Sequence, residues 1–154
     1  MARELVLPVL SLPSCDLRIR REGNSYTVYD ALRRLWVTLT PEEWVRQHVL
    51  DYLQHAKAYP FGNIRVEERV VVNEQPQRAD IVVYQKGAVP FLLVECKAAH
   101  VALTEETLWQ AQIYDQVIRA PYIALCNGLA TLLFQFVDGG VMPCGEDFPD
   151  FPQE

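Results

Sequence analysis

Asp80, Glu95 and Lys97 are charged residues in stretches that otherwise read as buried strands: Arg78-Ala79-Asp80-Ile81-Val82-Val83-Tyr84 and Phe91-Leu92-Leu93-Val94-Glu95-Cys96-Lys97. Burying a charge in a sheet is costly unless a partner or a metal compensates it. Side chains alternate along a strand, so Glu95 and Lys97 share a face. Two carboxylates on neighbouring strands, with an ammonium beside them, can hold a divalent cation and activate water. That is hydrolytic chemistry suited to a phosphodiester. Asp80 and Glu95 supply hard oxygen ligands, and the Cys96 carbonyl offers a third. Lys97 would either lower the pKa of the attacking water or stabilise the pentacovalent transition state. The competing reading is a structural ion pair at a strand end.

Other residues are candidates to support this centre. Gln110 and Tyr114 lie four apart on a helical stretch and share a face, where they would orient substrate or water. Alternatively, Tyr114 packs in the core and Gln110 faces solvent. Glu43 is either a further metal carboxylate or the closing member of a helix capping box. Glu68 is a further carboxylate candidate; Glu67 is adjacent on the same strand, so only one of the two can face the site. His48, His55 and His100 show no ligand spacing, and no Gly-rich phosphate loop is present, which argues against nucleotide hydrolysis.

The elements that must position these residues are legible. Leu17 and Ile19 alternate with arginines, Glu22-Gly23-Asn24 is a turn signal, and Tyr26 and Val28 alternate again, which predicts a β-hairpin. Asp30 is expected to cap a short helix through Trp36. Thr40-Pro41-Glu42-Glu43 starts a helix to about His55, with Trp44, Val45, His48, Val49, Tyr52 and Leu53 as its apolar stripe. Strands are predicted over Ile64–Val72, Arg78–Tyr84 and Pro90–Lys97. A helix capped by Thr104 runs to about Arg119, and strands over Pro121–Cys126 and Leu129–Val137 flank a turn at Asn127-Gly128. The fold class is α/β, a mixed sheet flanked by helices with an N-terminal hairpin. Residues 1–15 are expected to be an extended arm, 16–137 the domain, and 138–154 an acidic tail or loop.

Composition sets the frame. The chain has 154 residues, half of them hydrophobic and 22% charged, which suits one globular domain. No apolar run approaches a membrane span, so no membrane association is expected, and the Pro8-interrupted N-terminus does not read as a signal peptide. Cys15, Cys96, Cys126 and Cys144 form no CxxC pair, so reduced thiols in a cytoplasm are expected rather than zinc or disulfides. The net charge of −6 opposes stand-alone duplex binding. Yet Arg18, Arg20, Arg21, Arg33 and Arg34 cluster early, while no Lys or Arg follows Arg119. The basic part is a candidate nucleic-acid contact; the plainer reading is a set of solvated charges.

Taken together, Asp80, then Glu95-Cys96-Lys97, then Gln110-Ala111-Gln112-Ile113-Tyr114 resemble the Asp, Glu-x-Lys and Gln-x-x-x-Tyr elements of the PD-(D/E)xK nuclease superfamily. More narrowly, the chain is similar to the N-terminal nuclease domain of type I restriction enzyme R subunits, a likeness that Thr40 to His48 and Asn127-Gly128 extend. It covers roughly residues 15–137. The resemblance implies a restriction-endonuclease-like fold, Mg²⁺ or Mn²⁺ as cofactor, DNA as substrate, and restriction-modification as the setting. By position, Asp80 and Glu95 would bind metal, Lys97 would be catalytic, Gln110 and Tyr114 would support, and Glu43 matches a first-helix carboxylate of related nucleases. The R subunits carry an ATP-driven motor after this domain. The chain stops before one, so translocation is not expected of it, and a separate restriction or motor subunit is an expected partner. A non-cleaving module that binds nucleic acid or protein on the same fold, and a structural domain with a salt-bridged network, are the alternatives.

Overall fold

The computed structural model describes residues 5–153. The expectations of an extended arm at residues 1–4 and of a tail at residue 154 lie outside them. Strands β1 (Ile19–Glu22), β2 (Ser25–Asp30) and β3 (Leu35–Thr38) form a three-stranded antiparallel sheet. Helix α1 (Pro41–His55) follows, then a 3-10 turn at Phe61–Asn63. The main sheet contains β4 (Ile64–Val72), β5 (Gln75–Gln85), β6 (Val89–Cys96), β7 (Tyr122–Cys126), β8 (Thr131–Val137) and β9 (Gly140–Gly145), in that spatial order. Helix α2 (Glu105–Ile118) crosses between β6 and β7, which pair in parallel; all other pairs are antiparallel. This is the mixed α/β sheet that the sequence predicts.

The two helices cover opposite faces of the sheet, as strand alternation requires. Val45, Val49, Leu50 and Leu53 of α1 pack on Ile81, Val83, Leu92, Val94 and Cys96. Tyr114 and Ile118 of α2 pack on Val82 and Leu93, and Ala111 packs on Ile123 and Leu125. Thr40 caps α1 by accepting from the Glu43 N–H at 3.0 Å. In α2 the capping box is complete, between Thr104 and Thr107.

Three local expectations are corrected. The helix expected through Trp36 is a turn followed by β3, which adds a strand to the predicted hairpin. Asp30 does accept from the Leu32 and Arg33 N–H groups. However, Arg34 enters the left-handed region at φ 58°, which ends the turn. The second correction concerns Glu43, whose carboxylate does not return to the N-cap because two arginines hold it. The third is that the segment after residue 137 is not a tail. Asp138 and Gly139, both at positive φ, turn β8 into β9, the primed hairpin geometry that an Asp-Gly pair favours. Beyond β9, Phe148 is buried against Tyr52, and Phe151 packs on Tyr59 and Phe91. Residues 8–11 are docked as well. The Ser11 N–H donates to the Gly128 carbonyl, and Trp44 Nε1 donates to the Pro8 carbonyl. Gly128 sits at φ 86°, and a Cβ there would come within 2.7 Å of Leu10, so both conformation and space call for glycine.

Candidate active site

β5 and β6 run antiparallel, with Ile81 opposite Val94. One step further brings Asp80 and Glu95 side by side at the end of the paired region. Both are almost completely buried. Asp80 Oδ2 accepts from the Cys96 N–H at 2.8 Å, so β6 fixes the carboxylate through its own backbone. Lys97 N–H donates to the Cys126 carbonyl, which continues the β6–β7 ladder by one residue. Its Nζ lies 3.6 Å from Glu95 Oε1 and 3.4 Å from Gln110 Oε1. Strand alternation therefore places Glu95 and Lys97 together, and α2 delivers Gln110 to the same ammonium. Tyr114, one turn further along α2, is half-buried against Ala79, Val82 and Leu93. Its hydroxyl proton is held more tightly than usual, first by burial and then by the negative charges of Glu95 and Asp80. All five residues of the three sequence elements thus gather at one end of the sheet.

The electrostatics of the pair are unusual. Burial pushes the Asp80 carboxyl up to about 6, against the opposing effects of the Cys96 N–H and Arg46. Burial, then the charge of Asp80, pushes Glu95 up to about 8, and Lys97 only partly offsets this. Glu95 Oε2 is buried and has no hydrogen-bond partner, one of two such side-chain atoms among the described residues. Buried acceptors are normally satisfied, so this oxygen calls for an occupant. Among the described residues no group of three or more His, Cys, Asp and Glu forms a metal cage. Two hard carboxylates are what the centre offers, and magnesium sites commonly use one or two carboxylates plus substrate oxygens. The donor set fits such an ion.

The sequence reading missed Arg46. It projects from α1, across the sheet from α2, and is almost fully buried. Its Nε and Nη2 grip both oxygens of Glu43 at 2.8 Å, while Nη2 meets Glu67 at 3.3 Å and Nη1 meets Asp80 Oδ1 at 3.2 Å. Burial would weaken its charge, but Glu43 and Asp80 more than reverse that and raise its proton affinity. Arg33 adds a second bridge, joining Asp30 at 2.7 Å, Glu43 at 2.9 Å and Glu67 at 3.5 Å. Glu43 is therefore saturated by guanidinium. Burial pushes its carboxyl up, yet Arg46 and Arg33 hold it below its ordinary value. Glu67, not Glu68, turns toward this network, from a left-handed conformation at φ 53° in the middle of β4. Strain of about 1–3 kcal/mol in a non-glycine residue is characteristic of functional regions. The signal for Arg46 lay in the sequence as a charged residue flanked by the apolar stripe of α1.

Beside the centre lies an open cleft of about 780 Å³, lined by Arg33, Trp36, Glu42, Glu43, Arg46 and His100 among others. His100 is exposed at its rim, whereas His48 is buried against Trp44 and His55 pairs with Asp51 at the surface. Of the early arginines, Arg18 stacks over Tyr29 and Trp36, and Arg20 stacks over Trp36 at 4.1 Å while pairing with Glu22. Arg21 donates to the Gly23 carbonyl, and Arg34 is exposed. Arg33, by contrast, is committed to carboxylates. All four cysteines are free thiols, and no described helix is long and apolar enough to cross a membrane.

Residues 41–152 match the family model described as the type I restriction enzyme R protein N terminus. No curated protein and no solved structure matches the chain.

Proposed function

The chain belongs to the family of the type I restriction enzyme R protein N terminus, and from that premise we propose that it is a metal-dependent DNA endonuclease module. The observation that carries this reading is the Asp80–Glu95 pair. Two buried carboxylates share one end of the sheet, one of their oxygens has no partner, and Lys97 stands beside them. Asp80 and Glu95 would hold Mg²⁺ or Mn²⁺, with the Cys96 carbonyl as a third oxygen. Once bound, the ion would polarise the scissile phosphate and supply an activated water. The protein's own groups do the rest. Lys97 Nζ, steadied by Gln110 Oε1, stabilises the negative charge that builds on the phosphate oxygens as the water oxygen bonds to phosphorus. The opposite phosphorus–oxygen bond breaks with inversion, and the departing sugar oxygen takes up a proton as the attacking water releases one to solvent. Tyr114, beside the same carboxylates, keeps its proton and serves as a donor. DNA would approach along the open cleft, with Arg18, Arg20, Arg21 and Arg34 as contacts on the small sheet. Arg33 acts in the carboxylate network instead. A separate motor or restriction subunit would supply what a chain of net charge −6 lacks for DNA capture.

A second reading has one observation in its favour: Arg46 already neutralises Asp80, as a non-cleaving binding module would need. A cleavage assay separates the two. The purified protein should nick or cut DNA in Mg²⁺ or Mn²⁺, stop in EDTA, and slow as salt rises. Failure to cleave any DNA form with either metal supports the binding module.

A further inference from the structure

We propose that Arg46 is a resident counter-cation that occupies Asp80 in the metal-free protein and must yield it when a divalent ion enters. The inference rests on the metal site proposed above and adds a residue that controls its loading. The guanidinium is not held evenly. Glu43 takes two hydrogen bonds at 2.8 Å, the fork geometry of a strong arginine–carboxylate pair. The Nη1 contact to Asp80 is longer, at 3.2 Å. Glu43 therefore anchors the group, the Glu67 contact at 3.3 Å is as loose as that to Asp80, and Nη1 is the arm that can leave Asp80. Asp80 loses less by the exchange than it would elsewhere, because the Cys96 N–H still binds its other oxygen. After release Arg46 remains compensated by Glu43 and Glu67, so no buried charge is stranded. It also lines the open cleft, where the freed Nη1 meets incoming phosphate. Glu43 on this view is a positioning residue that acts through Arg46, not a metal ligand.

The test is Mn²⁺ binding to the intact protein, read by the loss of the free-ion electron paramagnetic resonance signal and by calorimetry. Arg46→Gln removes the competitor and should tighten Mn²⁺ binding about tenfold, the usual scale of coupling between two ligands. Arg46→Lys keeps a charge but not a fork that spans Glu43 and Asp80. It should also tighten binding, which separates occupancy of Asp80 from general repulsion and serves if Arg46→Gln folds poorly. Glu43→Gln loosens the anchor, lets Arg46 commit to Asp80 and should weaken binding. In an Arg46→Gln background it should have no effect. Weakening that persists in that background makes Glu43 a ligand and overturns the assignment. Unchanged affinity in both Arg46 variants, with wild type binding the ion, overturns this inference alone. If neither wild type nor any variant binds Mn²⁺, the metal reading of the site falls with it.

Discussion

Two groups of buried carboxylates lie within reach of one guanidinium and behave in opposite ways. Around Arg33 and Arg46, Asp30 and Glu43 have donors on both oxygens, and their proton affinity is held below the ordinary value despite burial. At the end of β5 and β6, Asp80 and Glu95 are equally buried but under-compensated, and theirs is raised. The first group is a closed network that fixes the small sheet to α1. The second is an open one: Asp80 takes the Cys96 N–H and the long Arg46 contact, while Glu95 has a single ammonium and an orphaned oxygen. A fold that satisfies three carboxylates with two arginines, yet leaves Glu95 short of donors, supports the proposal that an ion binds at the second group. Clusters of perturbed titratable groups are where chemistry concentrates.

The largest expected contrast comes from removing one cation from each group. Lys97→Ala should cut DNA cleavage by about 10²–10³-fold, the scale of a lost transition-state donor, with little change in melting temperature because the side chain is partly exposed. Activity that survives the substitution would mark a contaminating nuclease. Arg33→Ala should do the reverse to the molecule. It leaves the fully buried Asp30 without its ion pair, which costs about 3 kcal/mol in a urea melt. A loss below about 1 kcal/mol would show that the network is not structural and would dissolve the comparison.

How far the sequence carried depends on what set each feature. β4 is predicted residue for residue, because Val, Ile and turn residues mark it locally. The Glu95–Lys97 relation follows from strand period alone. The convergence of Gln110 on Lys97 is expected from helical spacing and from resemblance, but its contact depends on the β6–α2–β7 crossover. Asp138-Gly139 is a hairpin signal for β9, but the acidic, Pro-containing composition around it reads as a tail or loop. The failed helix at Asp30 shows a capping signal realised as a single turn, with strand pairing to β2 overriding it. That Arg46 and Glu67 meet was not legible, for a different reason. Their pairing spans 21 positions and depends on the helix and strand docking first. Local pattern reports faces, but it does not report which buried charges meet.

A smaller effect sharpens the contrast through pH. Glu95 has a raised folded pKa of about 8 against an ordinary value near 4.5. The folded state therefore binds the extra proton between those values, and stability of the metal-free protein should fall as pH rises through that window. Glu95→Gln removes the titration. It should stabilise the metal-free protein at pH 8 by about 2 kcal/mol and leave it unchanged near pH 4, as read from thermal melts across pH. Saturating Mn²⁺ should remove the part of the slope that Glu95 and Asp80 contribute and leave that of Asp115, which burial also raises, to about 6. A flat wild-type profile without metal would show that Glu95 is compensated after all.

Tyr114 tests the boundary of the open group with the smallest change. Its ring packs on Ala79, Val82 and Leu93, which is a sufficient structural reason for an aromatic residue there. Its hydroxyl has no such reason, and it feels the charge of both carboxylates. Tyr114→Phe keeps the ring and removes only the oxygen. Cleavage should fall by about tenfold, one hydrogen bond's worth of transition-state stabilisation, while stability moves by less than about 1 kcal/mol. The partition between kcat and KM carries the argument. A donor that acts in the transition state lowers kcat and kcat/KM together, whereas one that only grips DNA raises KM. Equal losses in activity and stability would return Tyr114 to the core of α2 and confine the open group to Asp80, Glu95, Lys97 and Gln110.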